Sequence, residues 1–241
     1  MLIRACRPVS AAAILLACAG LVACGARDDG AQTLERVTRG TDGPPVVAPS
    51  AASGPLIVAL GDSLTAGRGL DADQAYPALL ERALRAEGRD VTVVNAGVSG
   101  DTTAAGLRRA EWALEGDIRV VIVALGGNDG LRGLPVDQMK RNLSDIVSLV
   151  RSRGIAVLLA GMEAPPNYGA TYTAQFREVF HELASEYDVT LMPFLLDGVA
   201  GDQTLNQADG IHPTAAGAAI VAEHVRAAIE PLLPALTQAT Q

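Results

Sequence analysis

The sequence predicts an α/β domain built on a five-stranded parallel sheet with helices on both faces. Three observations predict it. From Pro55 onward, short aliphatic runs alternate with longer amphipathic stretches. The runs are almost continuously apolar, as expected of strands buried on both faces rather than on one. They also end repeatedly in Gly, Asn, Asp or Ser, the residues that let a chain leave a strand and turn toward a covering helix.

Residues 1–23 read as an export leader rather than as part of that domain. Arg4 and Arg7 precede an apolar run from Ala11 to Ala23, which has the length of a signal-peptide core and is short for a bilayer-crossing helix. The run ends in Leu21-Val22-Ala23-Cys24, which resembles the bacterial lipobox, so that Cys24 is expected to carry lipid. An ordinary signal peptide ending near a cysteine is the alternative. Gly25 follows Cys24, which by resemblance to bacterial sorting patterns implies anchoring at an outer membrane, facing the periplasm. Residues 24–54 are rich in Arg, Asp, Thr, Gly, Pro and Ala with no helical or strand period, the composition of a flexible tether. The domain is expected over residues 55–236, with a tail at 237–241.

Within the domain, strands are expected at Leu56–Leu60, Val91–Asn95, Val120–Leu125, Ile155–Ala160 and Val189–Pro193. Helices are expected at Tyr76–Glu87, Val136–Arg153, Tyr172–Glu186 and Pro213–Leu233. The second is the clearest, with Met139, Leu143, Ile146, Val147 and Val150 on one stripe and Gly154 to close it. Pro213 suits the first turn of the last helix.

Composition narrows the function. The chain of 241 residues carries a formal charge of −8, and Lys140 is its only lysine, so it offers no basic footprint for nucleic acid. Its three cysteines, Cys6, Cys18 and Cys24, all precede the domain, which excludes a disulfide framework, a cysteine zinc site and a cysteine nucleophile there.

Three histidines are available for base chemistry near neutral pH: His181 and His224 fall inside helical segments, whereas His212 sits in the loop Asp209-Gly-Ile-His-Pro213. Asp209 is spaced to reach the His212 ring, fix its tautomer and stabilise the imidazolium; the tetrad could equally be a helix-start turn capped by Asp209. Ser63 follows the first strand in Gly61-Asp-Ser-Leu64, either as a nucleophile or as a helix-capping serine. The sequence lacks the Gly-x-Ser-x-Gly elbow. The second and third strands end in Asn95-Ala-Gly-Val-Ser-Gly100 and Gly126-Gly-Asn-Asp129, which can supply a Gly97 backbone N–H and an Asn128 side-chain N–H to an oxyanion, beside the N–H of Ser63.

Ser63, Gly97, Asn128 and His212, in that order and context, resemble the four signature blocks of the SGNH, or GDSL-type, hydrolases, over essentially Pro55 to Leu233. The resemblance is greatest to the multifunctional acyl-CoA thioesterase, lysophospholipase and arylesterase group, and Ala164-Pro-Pro-Asn-Tyr-Gly169 resembles its arylesterase branch. It implies a three-layer α/β/α sandwich of flavodoxin-like kind. It implies a Ser63 nucleophile with Asp209 and His212, an oxyanion hole of Ser63, Gly97 and Asn128, and neither metal nor organic cofactor. Its substrates would be small acyl esters or thioesters, including lysophospholipids. Substrate contacts are expected from Asp62, Asp129, Gly130, Leu131 and Pro166, and from the loops Val98–Thr103, Gly130–Gly133 and Glu163–Gly169. Three other readings compete: a carbohydrate O-deacetylase of the same fold, a non-catalytic surface-binding lipoprotein, and a metal-dependent hydrolase using Asp62, Asp129, Asp209 and His212. Oligomeric state is not written in the sequence.

Overall fold

The computed structural model describes residues 54–237. The leader, Cys24, the tether up to residue 53 and the tail from residue 238 therefore lie outside the described residues.

Five strands form one all-parallel sheet: β1 (Leu56–Gly61), β2 (Thr92–Gly97), β3 (Ile118–Ala124), β4 (Ala156–Ala160) and β5 (Thr190–Met192). The spatial order is β2-β1-β3-β4-β5. β1 and β3 are buried almost throughout, which explains their unbroken aliphatic runs. β1 aligns Gly61 with Gly97 of β2 and with Ala124 of β3, so three chain segments leave the sheet side by side at its carboxyl edge.

The chain first steps from β1 to β2, then reverses past β1 to β3. With right-handed crossovers, that reversal sends the connecting helices to opposite faces and opens a crevice where the direction changes. Helices α2 (Tyr76–Ala86) and α7 (Ala215–Ile229) pack together, while α3 (Thr103–Ala113), α5 (Val136–Ser152) and α6 (Ala170–Tyr187) pack in sequence against one another. Two short helices, α1 (Ser63–Ala66) and α4 (Gly127–Leu131), begin at the carboxyl ends of β1 and β3.

The expected α5 stripe is the face that is buried: Met139, Leu143, Ile146, Val147 and Val150 are all inaccessible or nearly so. At about 1.5–3 kcal/mol for each fully buried side chain, burial of this stripe contributes far more to holding the helix than local propensity does. Gly154, at φ 71°, closes it, with the Ile155 N–H returning to the Val150 carbonyl at 3.4 Å. The last helix starts later than expected. Thr214, not a residue before Pro213, caps α7 by accepting the Gly217 N–H, while Pro213 forms an isolated antiparallel bridge with Asn206. The segment beyond Ile229 tightens into a 3-10 helix over Glu230–Thr237.

Candidate active site

The crevice contains a serine, a histidine and a carboxylate joined by hydrogen bonds. Ser63 is the first residue of α1, placed there because β1 stops at Gly61, where a side chain would run into Thr65 and the Ala124 carbonyl. Asp62 caps the helix, its Oδ1 accepting the Leu64 N–H at 3.0 Å. The Ser63 N–H, at the first helical position, has no intrahelical acceptor.

His212 arrives from the loop before α7, and that loop is heavily tied down. The Gln207 N–H donates to the His212 carbonyl at 2.7 Å, and the Thr214 N–H donates to the Leu205 carbonyl at 2.8 Å. Gln207 Nε2 donates both to the Arg68 carbonyl, just past α1, and to the Pro213 carbonyl, fastening the histidine loop to the serine segment. Gly210, at φ 74°, permits the tight turn between Asp209 and His212.

His212 Nε2 lies 2.9 Å from Ser63 Oγ, and Nδ1 lies 2.6 Å from Asp209 Oδ2. A carboxylate can only accept, so Nδ1 carries the hydrogen and the Nε2 lone pair faces the serine hydroxyl. Asp209 Oδ1 accepts the N–H groups of Ile211 and His212, both at 3.1 Å. The bond from the imidazole, then those two backbone bonds, hold the Asp209 carboxyl down at about 2. The carboxylate therefore stays charged and fixes the ring. His181 and His224 are elsewhere, on α6 and α7.

Asn128, on α4, reaches the same crevice. Its Nδ2 donates to Asp62 Oδ2 at 3.1 Å and to the Asp101 carbonyl at 3.0 Å, so both hydrogens are engaged. Asp62 is buried; burial pushes its carboxyl up to about 6, against the opposing pull of the bonds from Leu64 and Asn128.

The expected oxyanion donor Gly97 is corrected. Its N–H donates to Asn95 Oδ1 at 3.0 Å, and a side chain there would collide with the backbone of Thr65 and Ala66, so this glycine serves close packing of β2 on α1. Gly100, three residues on, was missed. It occupies the turn Val98–Asp101 at φ 88°, and its N–H has no acceptor among the described residues. The signal was present as a second glycine in the same loop.

A cleft of about 280 Å³ opens beside Ser63 and His212. Its walls are mostly apolar: Leu131, Met162, Ala164, Pro165, Phe194, Leu196, Ala200 and Ile211, with Asp62 and Asn128 near the serine. Leu131 and Asp62 thus lie where substrate contacts were expected. Three other residues expected there do not. Asp129 turns inward, accepting the Thr103 N–H at 2.8 Å and the Thr103 hydroxyl at 2.7 Å. Gly130 is buried against the Phe176 ring, and Pro166 is off the cleft, where Pro165 and Ala164 form the wall. Because Asp62 and Asp129 are bound into separate networks, Asp62, Asp129, Asp209 and His212 do not converge on a common ligand position; among the described residues no group of three His, Cys, Asp or Glu side chains does so.

Residues 59–220 match the GDSL-like Lipase/Acylhydrolase family. The chain is 43% identical over 183 residues to "Esterase TesA" of Pseudomonas aeruginosa, covering 76% of this chain and 91% of that protein. It is 38% identical over 184 residues to "Thioesterase 1/protease 1/lysophospholipase L1" of Escherichia coli, covering 76% of this chain and 87% of that one. The crystal structure of the psychrotrophic esterase EstA from Pseudoalteromonas sp., inhibited by monoethylphosphonate, superposes with a TM-score of 0.71 at 33% identity, covering 74% of this chain and 98% of that one. With the expected five-stranded parallel sheet, a serine–histidine–carboxylate array at its carboxyl edge and this degree of likeness, the chain belongs to the GDSL-like lipase/acylhydrolase family and is a hydrolase of ester bonds.

Proposed function

We propose that this enzyme cleaves carboxylic esters and thioesters of acyl chains through an acyl-Ser63 intermediate. The observation that carries the reading is the continuous chain from Ser63 Oγ to His212 Nε2 at 2.9 Å and from His212 Nδ1 to Asp209 Oδ2 at 2.6 Å. Ser63 Oγ attacks the acyl carbon while its proton passes to Nε2. The carbonyl oxygen becomes an oxyanion, to which the N–H groups of Ser63 and Gly100 and the side-chain amide of Asn128 donate. Asn128 takes part by sharing a hydrogen now held by Asp62 or Asp101. As the carbon–oxygen or carbon–sulfur bond breaks, the leaving alkoxide or thiolate takes the proton from Nε2; water then repeats the sequence and frees the acid.

The apolar cleft walls favour an acyl chain over a sugar ring, which weighs against the carbohydrate deacetylase reading. The name of the E. coli relative couples thioesterase and lysophospholipase activities, which supports extending the substrate class to acyl thioesters and lysophospholipids. The sequence Leu21-Val22-Ala23-Cys24 supports an exported, lipid-anchored enzyme of the bacterial envelope, facing the periplasm from the outer membrane. Envelope fractionation of the parent and a Cys24→Ser variant tests the anchor: the parent is expected with membranes and the variant released, and equal partitioning would overturn it.

The substrate reading is tested by assaying the protein and its Ser63→Ala variant on short and long acyl p-nitrophenyl esters and acyl thioesters. Loss of at least a thousandfold in kcat, with folding intact, is expected. Equal hydrolysis by both would overturn it.

A further inference from the structure

We infer that Arg109 is a positioning residue for this reaction: its guanidinium fixes the spacing between the Ser63 segment and the turn that faces it across the oxyanion position. The inference rests on the acyl-Ser63 reading. Arg109 lies on α3, outside the cleft, with its side chain only 18% exposed. Its Nη2 donates to the Gly61 carbonyl at 2.8 Å, two residues before Ser63. Its Nη1 donates to the Ala96 carbonyl at 2.8 Å, near the end of β2. Its Nε donates to Asp101 Oδ2 at 2.7 Å, in the turn that contains Gly100. One rigid fork therefore spans both strand ends and the turn.

Asp101 passes the constraint on. While its carboxylate is held by Arg109, its main-chain carbonyl accepts Asn128 Nδ2, whose other hydrogen goes to Asp62 beside Ser63. Moving Asp101 thus moves the Gly100 N–H and loosens Asn128 together, without touching His212, Asp209 or the apolar walls. The consequence falls on the transition state rather than on acyl-chain binding, because the oxyanion exists only after attack has begun. A lysine cannot replace the fork, since one ammonium on a flexible stem does not reproduce three donors in fixed directions.

The test is steady-state hydrolysis of a p-nitrophenyl ester by the full-length protein and by Arg109→Ala, Arg109→Lys and Asp101→Ala. We expect kcat to fall about a hundredfold in all three, with KM within about threefold, the pattern of lost oxyanion stabilisation. Millimolar guanidinium should restore part of the activity of Arg109→Ala and none of that of Asp101→Ala. If Arg109 only holds the fold together, guanidinium at this concentration, far below the molar range in which it denatures, will leave the activity unchanged. Should Arg109→Ala fail to fold, Asp101→Ala and Arg109→Lys decide the matter by the same split. A kcat within threefold of the parent in folded variants, or a loss that tracks the unfolded fraction alone, overturns the inference. If Ser63→Ala retains activity, the acyl-Ser63 reading has failed instead.

Discussion

Replacing Asp62 by Asn should change how the stability of this protein depends on pH. Asp62 is 3% exposed, and burial lifts its carboxyl from 3.8 to about 6 in spite of the hydrogen bonds from Leu64 and Asn128. The folded state therefore holds the Asp62 proton more tightly than the unfolded chain does. Stability from this group is full well below pH 3.8 and is lost as the pH rises from there through 6. A carboxyl titrating near 6 rather than 3.8 costs the folded state about 3 kcal/mol once both forms are ionised. The Asp62→Asn side chain is isosteric and uncharged, so urea unfolding of parent and variant from pH 4 to pH 7.5 isolates the effect as a difference, with other carboxylates cancelling. Relative to the variant, the parent should lose about 2.4 kcal/mol across that range, because at pH 4 the unfolded carboxyl is already more than half ionised. The constant offset from setting one amide against the Asn128 amide does not enter the slope. A difference that stays flat, or one that grows in the parent's favour as pH rises, would refute the assignment of a burial-dominated carboxylate.

Asp209→Asn should lower kcat by about a hundredfold or more with little change in KM, because an amide can donate to Nδ1 and so favour the tautomer whose Nε2 bears hydrogen; stopped assays at saturating ester would show it, and a change confined to KM would count against the role. Gly97→Ala should cost about 3 kcal/mol of stability, the upper end for overpacking, since the added methyl meets the Thr65–Ala66 backbone; a thermal melt unchanged from the parent would contradict that packing. Asp129→Ala should destabilise by about 1–3 kcal/mol, leaving the buried Thr103 hydroxyl and N–H short of their partner, while KM stays constant. A raised KM with unchanged stability would return Asp129 to the substrate.

The parts of the site that were legible in the sequence are those held by local geometry. Asp209 and His212 lie on one turn, where Gly210 permits the bend, and Ser63 follows an aliphatic run that ends at a glycine. What was not legible depends on rotation or on distant chain. Neighbouring residues on a helix point about 100° apart, so Asn128 faces the cleft while Asp129 turns into the core. Choosing between Gly97 and Gly100 required knowing that α1 presses on one while the other occupies an open turn. Arg109 acts across 48 residues on the Gly61 carbonyl, and Gln207 across 139 on that of Arg68; neither spacing leaves a local pattern. The start of α7 shifted because the hydroxyl of Thr214 caps it, whereas Pro213 was drawn into a bridge with Asn206.

The most direct measurement is intact-protein mass spectrometry after treatment with an activated alkyl phosphonate ester, followed by peptide mapping. A single covalent adduct on Ser63 Oγ is expected, formed in step with loss of hydrolysis and absent from Ser63→Ala. An adduct on another residue, or full inactivation of the enzyme with Ser63 unmodified, would contradict it.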